Sequence, residues 1–135
     1  MALLDWKKEY SVEVQQIDKE HQNLFGMLNE LHDAMKSGKG SQVAPEVLRR
    51  LVAYTREHFA YEESLMIRAK YPDFDKHKAE HDRLTGEVTK TVQDFEAGKV
   101  MLSMKLLDFL KGWLQNHILT VDKKYTSYMQ SAGIR

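Results

Sequence analysis

Apolar residues recur every three or four positions along most of this chain, and the recurrence is interrupted at only a few places. Ile17, Leu24, Leu28, Leu31 and Met35 mark a first stripe, predicting a helix over about 18–36 with Asp18 as its N-cap. Ser37-Gly38-Lys39-Gly40-Ser41 breaks it. Leu48, Leu51, Val52, Phe59, Leu65 and Met66 give a second helix, 43–70, its inward face, with Pro45 tolerated in the first turn. Tyr71-Pro72-Asp73 stops that run, and Asp73 opens a third helix, 73–96, lined by Phe74, Leu84, Val88, Val92 and Phe95. After Ala97-Gly98-Lys99, a fourth helix over 101–119 carries Leu102, Leu106, Phe109, Leu110, Trp113 and Leu114. Residues 1–17 lack this period. Ser11-Val12-Glu13-Val14 alternates polar and apolar, so the segment reads as an extended N-terminal arm anchored on the rest by Trp6 and Tyr10. A short C-terminal helix containing Tyr125 and Met129 folds back.

Four helices of roughly 18–28 residues, about 27–42 Å long at 1.5 Å per residue, are joined by short connections. Short connections make neighbours antiparallel, so the expected fold is an all-α, up-down-up-down four-helix bundle forming a single domain over 1–135. Composition narrows the function classes. Without cysteine, the 135-residue chain has no disulfide, thiolate zinc site, iron–sulfur cluster or cysteine nucleophile. Twenty basic residues balance twenty acidic ones and are interspersed, which argues against nucleic-acid binding and membrane-surface attachment. Neither a signal peptide nor a membrane span is visible in the sequence, so the expected compartment is the cytoplasm.

Candidate chemistry emerges when the histidines are placed on these helices. His21 opens the first, His58 and Glu62 lie late in the second, His77 and His81 open the third, and His117 closes the fourth, followed by Asp122. In an up-down bundle these positions share one end, which brings five of the six histidines to one level. His58/Glu62 and His77/His81 are i, i+4 pairs, about 40° apart around a helix, and both pairs fall on the apolar stripes. A carboxylate on a core line must find a partner, and a metal ion satisfies carboxylate and imidazole together. Asp122 is five residues from His117, about 140° around an ideal helix, so both reach one metal only if the helix ends or widens into a π-type turn there. His32 lies about 16 Å further along the first helix and is left out; Glu63 is expected to point to solvent. Any one of these pairs alone is commonly a surface feature of a helix; the joint placement is what carries the reading.

Seven donors are too many for one tetrahedral zinc, and five imidazoles do not suit calcium or magnesium. Imidazole with a few carboxylates suits iron, with manganese, copper and zinc as alternatives. If both carboxylates bridge two metals, the histidines divide three and two, leaving one metal an open coordination position.

On Trp6, Ile17-Asp18-Lys19-Glu20-His21, His58-Phe59-Ala60-Tyr61-Glu62-Glu63, His77-Lys78-Ala79-Glu80-His81, Trp113-Leu114-Gln115-Asn116-His117-Ile118 and Asp122-Lys123-Lys124-Tyr125, the chain resembles the hemerythrins over nearly its whole length, in particular the single-domain bacteriohemerythrins. The resemblance implies two iron ions per chain. His77, His81 and His117 would saturate one, His21 and His58 would hold the other, and Glu62, Asp122 and an oxo or hydroxo group would bridge them. It also implies reversible dioxygen binding for carriage, storage or delivery to oxygen-consuming enzymes, by a monomer that is not itself an enzyme. Reversibility needs a dry pocket, for which Leu24, Phe59, Trp113, Leu114 and Ile118 are the candidates. The competing classes are a diiron enzyme reducing oxygen, peroxide or nitric oxide, an oxygen or redox sensor, and iron storage. Imidazole-rich ligation without an ExxH pair at a candidate ligand favours binding over oxidation chemistry.

Overall fold

The computed structural model describes residues 4–99 and 104–135. It is all-helical, with no strand among the described residues: α1 (Gln15–Lys36), α2 (Gly40–Arg68), α3 (Phe74–Glu96), α4 (Met104–Asn116) and α5 (Thr126–Ser131). Cross-helix bonds give the directions. Asn23 meets Tyr54 and Glu30 meets Arg50, so α1 and α2 run oppositely. Glu96 meets Arg49 and Thr89 meets Arg56, so α2 and α3 do too. Trp113 donates to the Leu84 carbonyl, which joins α4 to α3. The result is a four-helix bundle.

Several boundaries differ from the sequence expectation, each for a local reason. α1 begins at Gln15, three residues before Asp18, and Val14 rather than Asp18 precedes it. The Asp18 carboxylate instead accepts from the Ser11 hydroxyl at 2.5 Å and the Val12 N–H at 2.9 Å, pinning the arm to the first turn. α2 begins at Gly40, which puts Pro45 inside it, and ends at Arg68. α4 gives way at His117, and the expected start at 101 and Leu102 lie outside the described residues, as does the arm before Leu4. Phe109, expected inward, is 43 % exposed and lines a surface groove beside Trp113 and Leu84. Phe25, the residue after Leu24 and absent from the expected stripe, is buried.

Four helix ends close in the same way. Lys39, Tyr71, Lys99 and Ile134 donate back five residues to Ala34, Met66, Asp94 and Met129. Each closure needs a left-handed residue just before it. Gly38, Gly98 and Gly133 supply three, and Lys70, at φ 54°, is the non-glycine member.

The arm carries a 3-10 turn at Lys8–Tyr10 and is tied at several points. Asn29 pairs with both backbone groups of Leu4, at 2.8 and 2.7 Å. Trp6 and Tyr10 pack edge-on against Phe25, with centroids 5.4 and 5.0 Å away.

Apolar side chains form two clusters rather than one. The larger includes Leu24, Leu28, Leu51, Phe59, Leu84, Leu110, Trp113, Leu114 and Ile118. The smaller includes Val12, Ile17, Leu65, Met66, Tyr71, Tyr125 and Met129. Along each helix the order is informative. His21 falls between Ile17 and Leu24, His58 and Glu62 between Leu51 and Leu65, and His77 and His81 between Tyr71 and Leu84. His117 and Asp122 are flanked by Leu114 and Tyr125 in the same manner. A buried polar layer is therefore sealed on both sides by hydrocarbon.

Candidate metal centre

All seven candidate donors are buried: His21, His58, Glu62, His77, His81, His117 and Asp122, with both carboxylates fully so. The donors form two groups, and within each group the donor atoms all lie within 4.8 Å of one another. One comprises Glu62, His77, His81, His117 and Asp122; the other comprises His21, His58, Glu62 and Asp122. The two carboxylates belong to both groups, and the imidazoles divide three and two.

Asp122 reaches this layer because α4 does not continue as an α-helix. His117–Val121 is a π-helical turn and Asp122–Tyr125 a 3-10 turn. The wider turn removes the misalignment of an i, i+5 pair, and His117 Nε2 ends 2.8 Å from Asp122 Oδ1. His77 Nε2 lies 3.0 Å from the same oxygen, and His21 Nε2 lies 3.2 Å from Oδ2. Glu62 Oε1 is 3.0 Å from His58 Nε2 and 3.4 Å from His81 Nε2.

These distances bring donors together without satisfying them. Nε2 of His21, His58, His81 and His117, Oε1 of Glu62 and Oδ2 of Asp122 are buried with no hydrogen-bond partner. For two rings the direction of the inner lone pair follows from the outer nitrogen. His58 Nδ1 is 2.6 Å from Glu20 Oε1 and His81 Nδ1 is 2.8 Å from Glu63 Oε2. An ionised carboxylate only accepts, so each Nδ1 carries a proton, which leaves Nε2 as the nitrogen that each ring can offer to a metal. Inward lone pairs facing carboxylate oxygens repel unless a cation or further protons lie between them. The donor set therefore fits a metal ion held by His and carboxylate ligands.

The electrostatics say the same. Burial works against the charged forms of His58, Glu62 and Asp122, yet the attraction between imidazole and carboxylate prevails. Burial lowers His58, but Glu62 and Glu20 push it up to about 10. Burial and Asp122 raise the Glu62 carboxyl, but His58 and His81 hold it below the usual carboxylate range. Burial likewise raises Asp122, while His117, His21 and His77 hold it well below its ordinary value. His117 is raised despite burial, chiefly by Asp122. Two negative charges at zero exposure demand positive charge beside them.

Sequence reasoning missed three participants. Glu63, expected in solvent, is turned onto His81. Glu20 is turned onto His58. The fully buried Tyr125 donates its hydroxyl to Glu62 Oε2, and burial with both carboxylates nearby pushes its own pKa well above the usual value. Both glutamates adjoin a candidate donor in the chain, Glu20 beside His21 and Glu63 beside Glu62, and both fall inside the stretches that carry the hemerythrin resemblance. His32, as expected, takes no part in either donor group.

Residues 12–128 match the family model of the hemerythrin HHE cation binding domain. The chain belongs to the hemerythrin family. Among curated relatives, it is 38 % identical over 126 residues to the bacteriohemerythrin of Methylococcus capsulatus, spanning 93 % of this chain and 95 % of that one. It is 37 % identical over 131 residues to the bacteriohemerythrin of Stenotrophomonas maltophilia, covering 97 % and 84 %. Myohemerythrin of Theromyzon tessulatum is 31 % identical over 120 residues, covering 89 % and 88 %. A crystal structure of wild-type hemerythrin superposes with a TM-score of 0.86 at 36 % identity, over 95 % of this chain and 98 % of that one. Family membership and the His/Glu/Asp cluster together support a hemerythrin-type iron-binding role.

No helix of the described residues is long and apolar enough to cross a membrane.

Proposed function

We propose that this hemerythrin-family chain binds dioxygen reversibly at a pair of iron ions. His77, His81 and His117 would hold one iron, His21 and His58 the other, with Glu62, Asp122 and an oxo or hydroxo group bridging them. When bound, such a pair supplies two reversibly available electrons and one open coordination position.

The observation that carries the reading is a small cavity against the two-imidazole half. It has about 10 Å3 of room, close to that needed for one water-sized molecule. Its walls are His21, Leu24, His58, Phe59, Trp113, Leu114 and His117. No hydroxyl, amide or carboxyl side chain lines it, and the Trp113 N–H is spent on the Leu84 carbonyl at 3.3 Å. A diatomic apolar molecule fits such a space, while water entering it would find few partners. By excluding water and acids, Leu24, Phe59, Trp113 and Leu114 would keep a proton from reaching a bound oxygen and so keep binding reversible. Ile118 is fully buried in the same cluster, behind the wall rather than in it.

A second reading is reduction of oxygen, peroxide or nitric oxide, and Tyr125 is the observation in its favour: its hydroxyl is a proton donor beside Glu62. Tyr125 belongs, however, to the smaller apolar cluster, away from the cavity wall, which favours binding.

The test is anaerobic reconstitution with ferrous iron, a count of iron per chain, then admission and removal of oxygen. Two irons and a colour that appears and disappears support the proposal. Fewer than two irons, or one-way conversion to the ferric state with peroxide released, overturns it.

A further inference from the structure

The two outer carboxylates are distributed one to each half of the donor layer. Glu20 reaches across the α1–α2 seam to His58, and Glu63 across the α2–α3 seam to His81. Nδ1 of His21, His77 and His117 is buried without any hydrogen-bond partner. The two glutamate side chains are 14 % and 19 % exposed, so each spans from the sealed layer to the surface. Glu20 is itself steadied by Gln16, whose amide donates to Oε2 at 2.9 Å.

From this placement we infer that Glu20 and Glu63 are positioning residues, one for each metal of the pair, and that the metal held by His21 and His58 depends on its outer carboxylate more than the other does. The inference rests on the iron-pair reading and deepens it. An outer carboxylate locks the ring tautomer, fixes the ring's rotation and makes its inner nitrogen more basic. The lean half has two imidazoles, of which Glu20 orients one; the rich half has three, of which Glu63 orients one. Losing Glu20 therefore leaves no ring in its half with an outer partner and only the His21–His58 edge-to-face contact, whereas losing Glu63 leaves three rings packed on one another and on Phe59. His81 stacks on Phe59 at 3.8 Å and 2°, so packing holds this ring even without its carboxylate.

The experiment uses the full chain with cobalt(II) alone, whose visible bands report the ligand set, and a chelator challenge that separates the two ions by affinity. Variants are Glu20→Ala, Glu20→Gln, Glu63→Ala and Glu63→Gln, with Asp82→Ala as a surface control beside His81. Thermal unfolding of the metal-free chains checks that each variant folds. Glu20→Ala should weaken one of the two ions about 10–100-fold and change its bands, leaving the other as in the parent. Glu63→Ala should weaken the opposite ion by less. Both glutamines, which still accept the Nδ1 proton through a neutral oxygen, should recover most of the affinity. In the iron-loaded chain they should shift the reduction potential upward, because ferric iron loses a negative charge near its ligand. A parent with two ions and alanine variants that match it overturns this inference alone, as does a larger loss in Glu63→Ala than in Glu20→Ala. A parent that holds fewer than two ions overturns the iron-pair reading and this inference with it.

Discussion

The two halves of the donor layer use the same carboxylates and differ in what surrounds them. Around His77, His81 and His117 the space is filled by imidazole and aromatic rings. His77 lies 4.5 Å from His81, and the stacked Tyr125 ring lies 5.5 Å from His77. Around His21 and His58 there are two rings, 4.6 Å apart, and a small cavity that they wall together with Leu24, Phe59, Trp113, Leu114 and the His117 ring. The comparison teaches that selectivity in such a site rests on omission. In the proposed function a third imidazole would close one half, and Leu24, Phe59, Trp113 and Leu114 would hold a place open in the other and keep it dry.

Removing what the halves share should have the largest effect. Asp122→Ala deletes a donor of both groups, and metal counting should show that a second ion is no longer retained, with affinity reduced more than about 100-fold, beyond what an outer-partner change costs. A variant that keeps both ions would mean the layer does not act as one unit.

Protons compete with metal for the same nitrogens, so acidity comes next. The folded value for His58, about 10, lies above its usual value near 6.5. Its contribution to the stability of the metal-free chain is therefore fully present below about 6.5 and is lost as pH rises through about 10. Metal uptake runs the other way, weakening as pH falls by about tenfold per unit for each proton displaced. Cobalt(II) competition titrations at roughly pH 6, 7 and 8 would measure the slope. A flat profile would show that the imidazoles are already unprotonated in the metal-free fold.

Opening the dry half should have a smaller, specific effect. Leu114→Ser removes apolar wall and adds a hydroxyl, and should speed autoxidation by about tenfold, equivalent to about 1.4 kcal/mol off the barrier. The lost packing should also lower stability by about 2–5 kcal/mol, read by thermal unfolding. Autoxidation equal to the parent's would remove Leu114 from the pocket.

The smallest effect belongs to the scaffold. Lys70 holds φ 54° where three other helix ends use glycine. Lys70→Gly should raise stability by up to about 1 kcal/mol, with metal content unchanged. A loss of metal would show that this end of α2 is coupled to the donor layer.

The seven donors were legible in the chain because their positions obey helix arithmetic. The i, i+4 pairs share a face whatever the helix packs against, and short connections make helix starts and ends meet. Even the demand for a wider turn at His117–Val121 follows from a five-residue interval. Glu20, Glu63, Asp18 and Phe109 were not legible in this way. Each lies at or beyond the edge of a stripe, and a rotation of a few tens of degrees decides whether it meets solvent, a neighbouring helix or the arm. That rotation is set by how whole helix faces interlock, a property no local spacing contains. Sequence by itself thus determined which candidate donors come together and at what depth they sit. Tertiary packing alone decided which carboxylate meets which ring, and where the layer leaves a small cavity walled by apolar side chains and imidazole rings.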